Sequence, residues 1–176
     1  MRILLLGGSK SGKSHLAQEL CRKLAEGGSM IYWATMEPVD GEDRERIRRH
    51  VEDRAGWGFT TLERGRDLRL AAEEVKGATV LLDSVTAALG NEMFSADSID
   101  ATAAERLAGE LLFVSTRCRH FVCVCDEIWR DGFTYDETTE AYRRGLAEIC
   151  RTLAAEFDAV YEVTAGLVHV WKGERI

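Results

Sequence analysis

Arg2-Ile3-Leu4-Leu5-Leu6-Gly7-Gly8-Ser9-Lys10-Ser11-Gly12-Lys13-Ser14 decides the fold: a short apolar run, a glycine-rich turn, then the opening of an amphipathic stretch. Gly7, Gly12, Lys13 and Ser14 fit G-x-x-x-x-G-K-[ST] in the strand, turn and helix context that a P-loop requires. Glycines let the backbone wrap closely round a phosphate, while the loop N–H groups and the helix N-terminus aim positive dipole at it. Gly7, Gly8, Ser9, Lys10, Ser11, Gly12, Lys13 and Ser14 are therefore the expected nucleotide-binding set. Lys13 is assigned to the β- and γ-oxygens and Ser14 to magnesium, with Lys10 a second cation in the loop.

Outward from this loop the apolar pattern alternates between short strand-like runs and longer helical ones. Strands are predicted at Arg2–Leu6, Met30–Ala34, Phe59–Leu62, Thr79–Leu82, Phe121–Cys125, Ala159–Val163 and Leu167–Trp171. The last two read as a hairpin turning at Ala165-Gly166. Helices are predicted at Gly12–Ala25, Glu42–Arg54, Asp67–Val75, Ala101–Arg117 and Asp136–Phe157, with Gly90–Asp100 a polar loop. The pattern implies an α/β, P-loop NTPase-like fold: a mainly parallel sheet flanked by helices, with an antiparallel C-terminal edge hairpin. Residues 1–176 are expected to form one domain, since 176 residues at 45% hydrophobic content suffice for one core.

A formal charge of −7 argues against general affinity for nucleic acid or anionic membrane, both of which need a basic surface. No apolar run approaches the roughly 20 residues that span a bilayer, and the N-terminal run is short for a signal peptide. No membrane insertion and a cytoplasmic location are the expectations. Cys21, Cys118, Cys123, Cys125 and Cys150 lack paired C-x-x-C spacing and read as reduced core residues.

A magnesium–nucleotide site usually has an acidic group at a neighbouring strand end. Two apolar runs end that way, Val80-Leu81-Leu82-Asp83 and Val122-Cys123-Val124-Cys125-Asp126-Glu127. Asp83 is expected to bind the metal directly or through water, and Glu127 to orient or deprotonate an attacking group. The pattern does not rank Asp83 against Asp126 for proximity to magnesium. N-K-x-D is absent and the lone D-x-x-G, Asp53 to Gly56, ends a predicted helix, which disfavours a signalling GTPase.

The segment Tyr32-Trp33-Ala34-Thr35, followed by the helix carrying Arg46-Ile47-Arg48-Arg49-His50-Val51-Glu52-Asp53-Arg54, is the second informative stretch. Ile47 and Val51 are expected to form its buried stripe, while Arg46, His50 and Arg54 share a cationic face. Adjacent guanidinium groups attract a triphosphate and disfavour protonated imidazole, leaving His50 able to attack phosphorus. A solvated, ion-paired helix is the plainer alternative.

The ordered pieces Gly7–Ser14, Tyr32–Thr35, Asp40-x-Glu42 with Arg46 through His50 to Arg54, Leu81–Thr86 with Asn91, and Val168–Lys172 resemble the bifunctional adenosylcobinamide kinase/adenosylcobinamide-phosphate guanylyltransferases of cobalamin biosynthesis. The resemblance implies an enzyme that phosphorylates adenosylcobinamide and then passes GMP from GTP to the phosphate through a GMP-histidine intermediate. By that likeness His50 is the guanylylated residue and Lys13 stabilises charge on the phosphates; with Glu127 from the strand-end reading, these are the expected catalytic residues. Arg46, Arg54 and Asp83 join the nucleotide-binding set, and Ser14 and Asp83 are the magnesium ligands. ATP, GTP and a corrinoid are the implied small-molecule partners, and a homo-oligomer the implied assembly. The chain departs from the family pattern at Asp126-Glu127-Ile128-Trp129, where Asn-Glu-Val-Gly is usual, and at Lys10, where arginine is usual. A small-molecule kinase without guanylyl transfer and a non-catalytic nucleotide-binding regulator stand as alternatives.

Overall fold

The computed structural model describes residues 1–38, 41, 45, 48, 51–52, 55–94 and 99–176. The chain runs β1 (Arg2–Gly7), α1 (Lys13–Ala25), β2 (Met30–Ala34), β3 (Phe59–Glu63), a 3-10 turn (Leu68–Ala71), β4 (Thr79–Asp83), α2 (Val85–Met93), α3 (Ala103–Ser115), β5 (His120–Asp126), α4 (Glu137–Glu156), β6 (Ala159–Thr164) and β7 (Leu167–Lys172). The seven strands form one sheet in the order β3-β2-β4-β5-β1-β6-β7. Every neighbouring pair is parallel except β6 and β7, which meet antiparallel across the two-residue turn at Ala165 and Gly166. Both turn residues have positive φ, 51° and 78°, the geometry a tight hairpin between twisted strands requires.

Parallel strands covered on both faces read as continuous apolar runs. Alternation then sends Leu4, Leu82, Phe121 and Cys123 to one face, beneath α2, α3 and α4. Ile3, Leu5, Leu81, Val122 and Val124 go to the other, against α1. Each such side chain, fully buried, contributes about 1.5–3 kcal/mol of transfer free energy. The registers matter for the site. Gly7 lies opposite Asp126, Asp83 opposite Val124, and Ala34 opposite Asp83, so four parallel strands end along a single edge.

The structure departs from the sequence pattern in three places. The stretch Val85–Met93 is a helix, capped by Ser84, whose side chain accepts a hydrogen bond from the Ala87 N–H at 3.2 Å. Val85, Ala88, Leu89 and Met93 are its buried stripe, so Gly90 and Asn91 do not break the helix as their types imply. The expected helix Asp67–Val75 contracts to one 3-10 turn, Leu68–Ala71, preceded by Asp67 in a left-handed conformation with its N–H donating to Glu92 Oε1 at 2.8 Å. Gly41, Glu45, Arg48, Val51 and Glu52 are helical, but Val51 is 47% exposed and does not form the expected buried stripe. Arg48 bridges Glu45 at 2.6 Å and Glu52 at 3.2 Å on the surface. Arg46, Ile47, His50 and Arg54 lie outside the described residues.

No helix among the described residues is long and apolar enough to cross a membrane. All five cysteines are free, and Cys21, Cys123, Cys125 and Cys150 are buried. Burial raises the thiol pKa of Cys21 and Cys123, and pushes that of half-buried Cys118 up to about 12. Since the thiolate is the nucleophile, the native protein at pH 8 should resist iodoacetamide at these positions. Mass spectrometry should find all five cysteines alkylated only after unfolding in urea; rapid native labelling of Cys21 or Cys123 would contradict this packing.

Candidate functional site

The P-loop joins the end of β1 to the start of α1. Gly7 cannot carry a side chain, because a Cβ there would collide with the Val163 carbonyl oxygen of β6. Lys10 takes φ 58° and Gly12 takes φ 101°, which turn the chain back over the sheet edge. Helix α1 has no side-chain N-cap among the described residues and no acidic residue in its first turn. Its first N–H groups are therefore open to an anion, and nothing in that turn opposes the dipole. The loop is braced from the hairpin, where the Gly166 N–H donates to Ser11 O at 2.9 Å.

Lys13 is 7% exposed. Its ammonium donates to Gly8 O at 2.8 Å and to Asp126 Oδ1 at 2.7 Å. The second contact follows from strand register, since Asp126 ends β5 directly opposite Gly7 of β1. The Asp126 N–H is itself fixed by Thr86 Oγ1 at 2.8 Å, and the Glu127 N–H donates to Gly7 O at 3.0 Å. Asp126 is thus the carboxylate that touches the P-loop lysine, a placement no spacing rule reveals because the two residues are 113 positions apart in the chain.

Asp83 stands at the end of β4, one strand further from the loop, with Tyr32 OH donating to its Oδ2 at 2.7 Å. Around it the motif residues interlock. Thr35 Oγ1 donates to Ser84 O and accepts from the Ser84 N–H, both at 2.7 Å. Asn91 Nδ2 donates to Thr35 O at 2.7 Å and Gly65 O at 3.1 Å. Tyr32–Thr35 and Asp83–Asn91 are therefore two halves of one brace that fixes the ends of β2 and β4. Tyr142 of α4 joins it by donating to Thr86 O at 2.6 Å.

The Glu127 carboxylate lies on the α4 side of the β5 end, while its N–H stays bonded to Gly7. Its carboxylate pairs with Arg130 at 3.0 Å, and Arg130 also reaches Glu162 at 2.9 Å. Of the expected site residues the structure gathers Gly7, Gly8, Ser9, Lys10, Ser11, Gly12, Lys13 and Ser14 in the loop, with Asp83 and Glu127 at adjoining strand ends. His50, Arg46 and Arg54 lie outside the described residues. Ser11 Oγ is buried without a hydrogen-bond partner among the described residues, an unusual state for a hydroxyl and one that a phosphate oxygen would relieve. The hydroxyl of Ser14 and the carboxylate of Asp83 are hard oxygen donors of the kind magnesium takes.

A P-loop opening an uncapped helix beside two carboxylate-bearing strand ends defines a nucleoside-triphosphate-binding α/β protein. Similarity to known proteins narrows the class. The family model described as cobinamide kinase / cobinamide phosphate guanyltransferase matches residues 3–170, and the chain belongs to that family. It is 40% identical to the bifunctional adenosylcobalamin biosynthesis protein CobP of Pseudomonas aeruginosa, covering 99% of both chains. It is 27% identical to the bifunctional adenosylcobalamin biosynthesis protein CobU of Salmonella typhimurium, covering 95% of this chain and 97% of that one. Among solved structures, an ATPase domain superposes with a TM-score of 0.54 at 8% identity, covering 92% of this chain and 68% of that one. The flagellar accessory protein FlaH of Methanocaldococcus jannaschii gives 0.50 at 13% identity, covering 98% of this chain and 78% of that one. These two likenesses speak to the fold alone.

A phosphate at the loop would compete with Asp126 for the Lys13 ammonium. A charge-assisted hydrogen bond is worth about 1.5–3 kcal/mol, and the partial exposure of Asp126 favours the low end. Asp126→Asn should therefore bind ATP in EDTA about tenfold more tightly than wild type, while its ligand-free Tm falls as Lys13 loses its counterion. Calorimetric titration and thermal melts check both signs; unchanged affinity would remove Asp126 from the loop's electrostatics.

Proposed function

We propose that this chain phosphorylates adenosylcobinamide and then transfers GMP from GTP to adenosylcobinamide phosphate, giving adenosylcobinamide-GDP. The observation that carries the reading is that one family match spans both Gly7–Ser14 and His50. The buried, aimed ammonium of Lys13 and the orphaned hydroxyl of Ser11 support the phosphate-binding half.

In the kinase step the hydroxyl oxygen of the corrinoid's side arm attacks the γ-phosphorus of ATP or GTP, and the nucleoside diphosphate leaves. The loop N–H groups and Lys13 take the charge that builds on the phosphates. Glu127, held by Arg130, accepts the hydroxyl proton. Ser14 and Asp83 would hold magnesium, which neutralises phosphate oxygens when bound. In the guanylyl step a ring nitrogen of His50 attacks the α-phosphorus of GTP and pyrophosphate leaves. A phosphate oxygen of adenosylcobinamide phosphate then displaces the histidine from the GMP. Arg46 and Arg54 offset charge on the phosphates.

Splitting one displacement into two lets GTP be opened before the bulky corrinoid arrives. ATP and GTP are cytoplasmic substrates, and the reading carries a cytoplasmic location. A kinase without guanylyl transfer and a non-catalytic regulator are not favoured by a family whose description names both activities.

Intact-mass analysis after incubation with GTP and magnesium should show one GMP adduct, stable to base and lost in acid. His50→Ala should abolish it, and an unmodified wild-type mass would sink the guanylyl half. Lys13→Ala should lower phosphoryl transfer to adenosylcobinamide by about a hundredfold or more, read by product formation.

A further inference from the structure

On the sheet face opposite α1, a groove of about 930 Å³ lies between α4 and the strands β1, β6 and β7. Its origin is legible in the residues. Along α4, Arg144, Ala147, Glu148, Arg151 and Ala154 recur at helical spacing, and the two alanines leave the helix wall thin. The floor is Leu6 of β1 with Val160 and Glu162, which share one face of β6 at a strand's two-residue period. Two indoles, Trp129 and Trp171, also line it. Trp171 is 63% exposed yet held: its Nε1–H donates to Glu162 Oε2 at 2.9 Å, and its ring meets His169 edge-on at 4.5 Å.

The charges of this groove distinguish it from the phosphate cradle. Arg130, Arg144 and Arg151 are balanced by Glu127, Glu148 and Glu162, so its described lining has no excess of positive charge with which to hold a polyphosphate. Its size lies at the upper end for small-molecule sites, larger than a nucleobase needs. Aromatic faces with a rim of both hydrogen-bond donors and acceptors suit a large, flat ring bordered by uncharged amides. Amide N–H groups would meet the glutamates, and amide carbonyls the arginines.

Two residues of the groove lining, Leu6 and Glu127, are tied directly to the start of the P-loop. Leu6 immediately precedes Gly7, and the Glu127 N–H donates to Gly7 O at 3.0 Å, so one strand end serves both. The geometry points to this groove as the seat of the corrinoid ring, with the hydroxyl-bearing arm passing over the β1 edge to the phosphates. This assignment rests on the function proposed above. Trp129 and Trp171 are its stacking residues, and Glu162 positions the Trp171 ring.

The test measures cobinamide binding by equilibrium dialysis, using the absorbance of the corrinoid, for wild type, Trp171→Ala and Ala147→Trp. The first removes a stacking face from an exposed position, and the second fills the groove from the opposite wall. Both should weaken cobinamide binding by about tenfold or more. ATP affinity and Tm, measured on the same samples, should stay at wild-type values. In turnover the KM for adenosylcobinamide should rise with kcat little changed. If wild type binds cobinamide and both variants bind it equally well, the groove is not the corrinoid seat, though the proposed function survives. If wild type binds no corrinoid, that function falls and this assignment with it. If Trp171→Ala changes the oligomeric state but not corrinoid affinity, the groove is an interface between copies, and the assignment is overturned.

Discussion

The contact between Lys13 and Asp126 is where the folded chain becomes a site. An ammonium 7% exposed must have a counterion. Here the counterion is supplied by the strand that inserts beside β1, at 2.7 Å. Everything upstream serves that placement: the register that sets Gly7 against Asp126, the Thr86 hydroxyl that holds the Asp126 backbone, and the glycine that lets β6 approach the loop. On the proposed function, phosphate oxygens would replace this carboxylate at the same ammonium.

Round that contact the strand ends divide the work by direction. The Asp83 end of β4 is braced to β2 through Thr35, Ser84 and Asn91. Glu127, one residue past Asp126, faces the opposite way and joins Arg130 and Glu162 at the mouth of the α4 groove. Consecutive residues at one strand end thus serve two different surfaces, the first electrostatic and the second largely apolar. Such a division suits a protein that must hold a polyphosphate and a bulky partner at once.

The strands and the phosphate loop were legible in the sequence because their signals are local. Apolar runs of five or six residues mark buried parallel strands, and glycine, lysine and serine at fixed offsets mark the cradle. Helix α2 was hidden by Gly90 and Asn91, although the Ser84 cap followed by Val85, Ala88 and Leu89 was available as a signal. Asn91 has a tertiary reason to be there, since it ties Thr35 to Gly65. The 67–75 segment shows the reverse: Leu68, Ala71 and Val75 are buried at helical spacing, yet only Leu68–Ala71 closes into a 3-10 turn.

The sequence by itself determined the α/β class, the P-loop, and the family likeness carried by Tyr32–Thr35, His50 and Leu81–Thr86, because each depends on residue types at short spacing. Only the tertiary structure decided that Asp126 meets Lys13, that Glu127 turns toward α4, and that Trp129 and Trp171 line one groove. The physical reason is that strand order and register are long-range properties. Sequence pattern says which segments are strands, whereas which strand lies beside β1 is settled by packing both sheet faces at once.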